Sequence, residues 1–309
     1  SAAAPHRRAT TCNGSPSLCT RSYGNTTFVG AHDSFAVSPT SLAGNQDYDV
    51  TQQLTDGIRM LQNQLHNSSG TIELCHTSCD LLDAGSLEAY LGKVNTWLKA
   101  NPDEVVTLLL VNSDDIDVTQ FGAAYTAAGL DTLSYTPPQA AITVDQWPTL
   151  GEMIDQGTRV VTFMDSGADF TTVPYIIDVE FSNMWETPFD VTTSFDCSVN
   201  RTHGDPTTQL YTINHFLDTA GSIGSIAFST PDKSALGTTN AVSGPGSLGA
   251  QAEECLAEYS RAPNFMLVDF YEVGAGSVFE VAAGINGVPY APTTPIASAP
   301  SSATQTAAA

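Results

Sequence analysis

Basic residues are scarce in this chain: ten Lys and Arg stand against 33 Asp and Glu, for a net charge of −23. That balance excludes nucleic acid and anionic membranes as tight electrostatic partners, because binding a polyphosphate surface needs clustered cations. No apolar run approaches the ~20 residues that span a bilayer. Gly-rich phosphate loops are missing too: Val242-Ser243-Gly244-Pro245-Gly246-Ser247 lacks the lysine of a P-loop. There is no GxSxG elbow, so a serine hydrolase of that kind has no support. Cys75, His76 and Cys79 have no second CxxC or HxxxH pair with which to complete a zinc site. Ser1–Arg8 lacks the apolar core of a signal peptide, so a mature or trimmed form is expected. No internal repeat and no second domain are evident.

Hydrophobic residues at 41% and aromatics at 8% are ordinary for a globular protein, and 309 residues suit one α/β barrel. Six cysteines can pair in many ways. The short separations of Cys12 and Cys19 and of Cys75 and Cys79, with Cys197 and Cys255 isolated, read best as the disulfides Cys12–Cys19, Cys75–Cys79 and Cys197–Cys255, other pairings staying open. Sequons at Asn25, Asn67 and Asn200, an even cysteine count and an acidic composition together point to an oxidising, extracellular compartment.

Apolar β-branched runs alternate with helical patterns, the signature of parallel strands joined by helices. Strands are expected at Phe28–Ala31, Ile58–Leu65, Val105–Val111, Val160–Met164, Leu210–Asn214 and Met266–Phe270. Leu87, Leu91, Val94 and Leu98 mark a helical stripe that Asn101-Pro102 stops, and further helices are expected at Thr149–Gln156 and Ser247–Tyr259. Residues 1–21 read as an N-terminal extension with a disulfide loop and 22–287 as the barrel. The Pro/Ala/Ser/Thr-rich end, 288–309, is expected to stay unpacked and would suit an O-glycosylated stalk leading to a lipid anchor.

Polar residues fall at or directly after the ends of the expected strands: His32-Asp33, Asn112 with Asp114-Asp115, Asp165 and Asp269. Strand C-termini form the active-site face of α/β barrels. Two histidines, His32 after the first strand and His76 within Glu73–Cys79, are the minimum for general acid-base catalysis, since one takes a proton while the other gives one.

These residues resemble the X-domain of the phosphatidylinositol-specific phospholipase C superfamily, and within it the secreted fungal phospholipase C-like phosphodiesterases. The similar pieces are Ala31-His32-Asp33-Ser34, Leu54-Thr55-Asp56-Gly57-Ile58-Arg59, Leu74-Cys75-His76, Leu81-Leu82-Asp83 through Pro102, Val105–Asn112, Trp147-Pro148-Thr149-Leu150, Phe163-Met164-Asp165, Trp185-Glu186-Thr187 and Phe195-Asp196-Cys197. The resemblance covers about residues 22–285 and implies a distorted (β/α) TIM-type barrel. It implies that His32 is the general base toward the inositol 2-hydroxyl and His76 the general acid toward the departing alcohol. Asp33 would support His76 and Asp269 would orient His32. The departure is on the second strand, where Gln62 and Gln64 stand in place of the Glu and Asp of calcium-dependent members or the Asp and Arg of bacterial ones.

Neutral amides supply neither a cation nor a metal ligand of adequate charge. Gln62, Gln64 and Asn112 are therefore expected to bind substrate through neutral amides, with Asp165 and Trp185 as further substrate-binding residues and Tyr175 and Tyr271 as further stacking candidates. Arg59 falls on the opposite strand face and reads as structural. The reading implied is a secreted monomer that cleaves phosphatidylinositol or an inositol-glycan phosphodiester without a cofactor, with peripheral membrane or cell-wall contact. One alternative is a calcium or magnesium ion held by Asp33, Asn112 and Asp114. Others are an inactive barrel that binds wall glycan or lipid, and a metal-dependent glycerophosphodiesterase or sphingomyelinase-like enzyme.

Overall fold

A computed structural model describes residues 8–38, 41–178, 182–223 and 226–298. In chain order the strands and helices are β1 (Phe28–Ala31), α1 (Val50–Asp56), β2 (Met60–Ser68), β3 (Thr71–Cys75), β4 (Asp83–Ser86), α2 (Leu87–Ala100), β5 (Val106–Asn112), α3 (Val118–Ala128), α4 (Leu150–Gln156), β6 (Val160–Met164), β7 (Ile176–Asp178), β8 (Met184–Glu186), β9 (Leu210–Asn214), β10 (Asp218–Ile223), β11 (Ile226–Pro231), α5 (Leu236–Thr239), α6 (Leu248–Tyr259), β12 (Phe265–Val268) and α7 (Ser277–Asn286). Eight parallel strands run in the order β7-β6-β5-β2-β1-β12-β9-β8. This is the cyclic order of a (β/α) barrel, open between β7 and β8, which share no ladder among the described residues. The distortion is concentrated there, where no α-helix separates β6, β7, β8 and β9 among the described residues.

The period-two pattern of the strands divides the core in two. Leu61, Leu108, Leu110 and Val160 face an outer helix layer that includes Leu54, Leu91, Val94, Leu98 and Phe121. Met60, Leu109, Phe163, Met184, Leu210 and Leu267 fill the barrel, and Leu18, Tyr23 and Trp147 seal it from below. Gly30 is required inside: a Cβ there would lie 2.6 Å from a Leu267 methyl. Ser86 caps α2 by accepting from Ala89 N–H, and Thr149 and Glu152 form a reciprocal capping box on α4.

The segment ahead of the barrel is built into its floor. Asn13 exchanges hydrogen bonds with Val105 through both ends of its amide, and Leu18 is buried. The expectation of an unpacked tail is corrected as far as Ser298. Tyr290 stacks on Phe279, Ile296 packs against the core, and Ala297 N–H donates to Asp56 Oδ2 at 3.1 Å. Two apolar anchors spaced along the Pro/Ala/Thr stretch suffice to hold it; 299–309 lie outside the described residues. The cysteines pair as Cys12–Cys19, Cys75–Cys79 and Cys197–Cys255. The sequon residues Asn25, Asn67 and Asn200 are exposed.

Candidate active site

β1 ends at Ala31, and the chain turns so that His32 and Asp33 stand at the C-terminal mouth of the barrel, His32 N–H still donating to Val268 O across the sheet. His32 Nδ1 donates to Asp269 Oδ1 at 2.9 Å, just past the end of β12. Because a carboxylate only accepts, that bond puts the proton on Nδ1 and leaves Nε2 of the neutral ring as the base. Asn45 Nδ2 donates to both oxygens of Asp269, and Gln46 Nε2 holds His32 O at 2.7 Å. Phe216 lies flat against the imidazole, with ring centres 3.7 Å apart and planes within 1°. Burial pulls the imidazole's pKa down, but Asp269, Asp33 and Asp218 together outweigh it and raise it to about 9. The same confinement, with Asp269 next to it, raises Asp218 to about 6.

His76 arrives from the other side, on the loop between β3 and β4 that the Cys75–Cys79 disulfide closes. Its Nε2 is 3.3 Å from Asp33 Oδ2, and the same oxygen is 3.8 Å from His32 Nε2. One buried carboxylate thus stands between the reactive nitrogens of both histidines. They line a cavity of about 570 Å³ together with Gln62, Gln64, Asp165, Glu186, Asp190, Arg201 and Asp218.

The sequence matches the PI-PLC X 1 family over residues 18–286. The chain belongs to the PI-PLC X domain family. It is 49% identical over 286 residues to an uncharacterized secreted protein of Arthroderma benhamiae, covering 90% of this chain and 64% of that protein's length. It is 43% identical to PI-PLC X domain-containing protein 1 of the same organism, covering 90% of each. Solved structures of similar fold are the phosphatidylinositol-specific phospholipase C of Listeria monocytogenes (TM-score 0.55, 14% identity, 85% of this chain and 94% of that one). A variant of the Staphylococcus aureus enzyme is similar as well (TM-score 0.57, 15% identity, 88% and 95%). Among the described residues no helix is long and apolar enough to cross a membrane.

The X-domain fold gathers His32, Asp33, His76, Gln62, Gln64 and Asp165 at one cavity and leaves other expected residues out. Asn112 is corrected from substrate ligand to loop brace: its Nδ2 donates to Ile116 O and Ser166 O, and its Oδ1 accepts Ile116 N–H. Asp114 accepts from Asn67 N–H and faces His66 at 3.1 Å, so Asp33, Asn112 and Asp114 do not form one ligand set. Trp185 borders the cavity, but its ring is fully buried, stacked on Tyr211, with Nε1 donating to Pro206 O. It packs rather than stacks on substrate. Tyr175 packs on Tyr125, and Tyr271 donates to Asp56 Oδ2, both away from the cavity. Arg59 is held by Glu104, Leu54 O and Ile58 O at the strand base, a structural place.

At the two glutamines a divalent ion would meet no charged ligand, and each amide oxygen already accepts a backbone N–H, from Asp33 and Thr77. No group of three His, Cys, Asp or Glu suited to a metal occurs among the described residues. Sequence reasoning missed Asn45, Phe216, Asp218 and Arg201. Arg201 is the one Lys or Arg lining the cavity among the described residues; it pairs with Glu186 and lies 4.9 Å over the Phe189 ring. Its position inside the Asn200 sequon was the only mark it carried in sequence.

Proposed function

We propose that this X-domain protein is a secreted phosphodiesterase that cleaves an inositol phosphodiester, as a lipid headgroup or an inositol glycan, without a metal ion. The observation that carries this reading is the placement of His32 and His76 on either side of Asp33 at one cavity, with His32 oriented by Asp269. In the proposed reaction His32 Nε2 removes the proton of the inositol 2-hydroxyl as its oxygen attacks phosphorus. His76 Nε2 delivers a proton to the leaving alkoxide, so the P–O bond to the alcohol breaks as the ring P–O bond forms. The products are a cyclic inositol phosphate and the free alcohol. Arg201 is the charged group assigned to the phosphoryl oxygens, because the carboxylates of the lining, Asp33, Asp165, Glu186, Asp190 and Asp218, would repel them.

The test is turnover of a soluble inositol phosphodiester carrying a chromogenic alcohol, alongside phosphatidylinositol vesicles. His32→Ala and His76→Ala should each remove nearly all turnover, and EDTA should leave the parent rate unchanged. Full activity in His32→Ala, or loss of activity in EDTA, overturns the mechanism.

A further inference from the structure

β2 presents Gln62 and Gln64, two residues apart, to the barrel interior, where a phosphate ligand would be sought. Both amide oxygens already hold a backbone N–H. Gln62 Oε1 accepts Asp33 N–H at 2.6 Å, and Gln64 Oε1 accepts Thr77 N–H at 2.6 Å. Each donor is the residue that directly follows a histidine. Each also has left-handed backbone, φ 38° at Asp33 and 61° at Thr77, a conformation that costs a non-glycine residue energy and needs outside support. At the first turn the grip is double, since Gln62 O accepts Ser34 N–H at 2.9 Å.

We propose that Gln62 and Gln64 are positioning residues, a pair of neutral arms from one strand whose oxygens hold the turns behind His32 and His76 and so set both imidazoles and the Asp33 carboxylate between them. The inference rests on reading the two histidines as base and acid. It accounts for the side-chain type. Arginine has no acceptor with which to hold an N–H, and a carboxylate would accept but would add charge to a cavity already lined by Asp33, Asp165, Glu186, Asp190 and Asp218. Only an amide of this length accepts the bond without altering the charge around His32.

Paired substitutions separate positioning from direct phosphate binding. Gln→Met keeps the length and removes the acceptor; Gln→Glu keeps the acceptor and removes the donor. Gln62→Met and Gln64→Met should each lower kcat about tenfold to a hundredfold with KM little changed, because a displaced acid or base costs rate before affinity. Gln62→Glu and Gln64→Glu should recover all but about threefold of it, with their pH profiles shifted upward by the added carboxylate. Glu variants slower than Met variants, with KM raised, would mean that the amides bind phosphate through their N–H groups, and the proposal would fall.

Imidazole titration by NMR decides the matter without any substrate. Asp33 is one of the groups that raise His32. Releasing the Asp33 turn in Gln62→Met should therefore lower the His32 midpoint, while Gln62→Glu keeps it at or above the parent value. An unchanged midpoint in folded Gln62→Met overturns positioning at that turn. A parent protein that turns over no inositol phosphodiester, with the midpoint still displaced, would refute the proposed function and leave the positioning of Asp33 standing.

Discussion

Replacing Asp269 by asparagine removes one charge from a fully enclosed site and nothing from the cavity wall. Asp269 is 2% exposed, accepts from His32 Nδ1 at 2.9 Å and takes Asn45 Nδ2 on both oxygens. An asparagine can keep one oxygen toward His32, but its NH2 then meets the NH2 of Asn45, donor against donor. The lost bond is charge-assisted and worth about 1.5–3 kcal/mol, so the pH-independent kcat/KM, taken with the base fully neutral, should fall roughly tenfold to two-hundredfold if that bond orients the base in the transition state. The pH dependence gives a second, independent reading. With the His32 midpoint at about 9, only about one ring in a hundred is neutral at pH 7, so the limb of the parent profile that reports the base should extend toward pH 9. Asp269 is the largest of the influences that raise it, and burial opposes them, so Asp269→Asn should move that limb well to lower pH.

Stability follows with a definite sign. A midpoint raised from 6.5 to about 9 in the folded protein contributes ~3 kcal/mol that is complete below pH 6.5 and lost as pH rises through 9. The parent Tm should therefore drop between those pH values, and the drop should be smaller in Asp269→Asn. Assays are kcat/KM against pH on a soluble inositol phosphodiester, and thermal melts across the same range. An Asp269→Asn enzyme within about twofold of the parent, with its alkaline limb still near 9, would refute the dyad.

Removing the Cys75–Cys79 bridge by a double alanine substitution should cost well under ~3 kcal/mol, since it closes a loop of only four residues' separation, yet it should lower kcat by loosening His76; a melt and a rate measurement on one sample check both. Arg201→Met should raise KM and lower kcat for any phosphodiester, and Arg201→Lys should restore only part, because a lysine cannot pair bidentately with phosphate; equal rates in all three proteins would remove Arg201 from the site. Gln64→Arg should slow the enzyme despite placing a cation near phosphate, because it withdraws the acceptor from Thr77 N–H; a faster enzyme would contradict the geometry of β2.

Local pattern in the chain determined much of this protein. The apolar runs Phe28–Ala31, Val160–Met164 and Leu210–Asn214 match β1, β6 and β9 residue for residue, and the Leu87, Leu91, Val94, Leu98 stripe is the buried face of α2. Such runs and stripes report the element type and which face meets a core. His32 was legible because it follows a strand whose end the pattern locates, and His76 and Asp269 because the motifs around them resemble those of the X-domain family. Tertiary structure decided what no period records. β7 and β8 have three residues each, too few to show alternation, and the β3–β4 and β10–β11 hairpins lie where only crossovers were sought. Asn112 and Asp114 follow a strand just as His32 does, but their side chains turn back to Ile116, Ser166 and Asn67, since a polar group at a strand end takes whichever partner its loop brings nearest. Asn45, Phe216 and Arg201 come from loops without repeat, and only the closing of the barrel carries them to the two histidines.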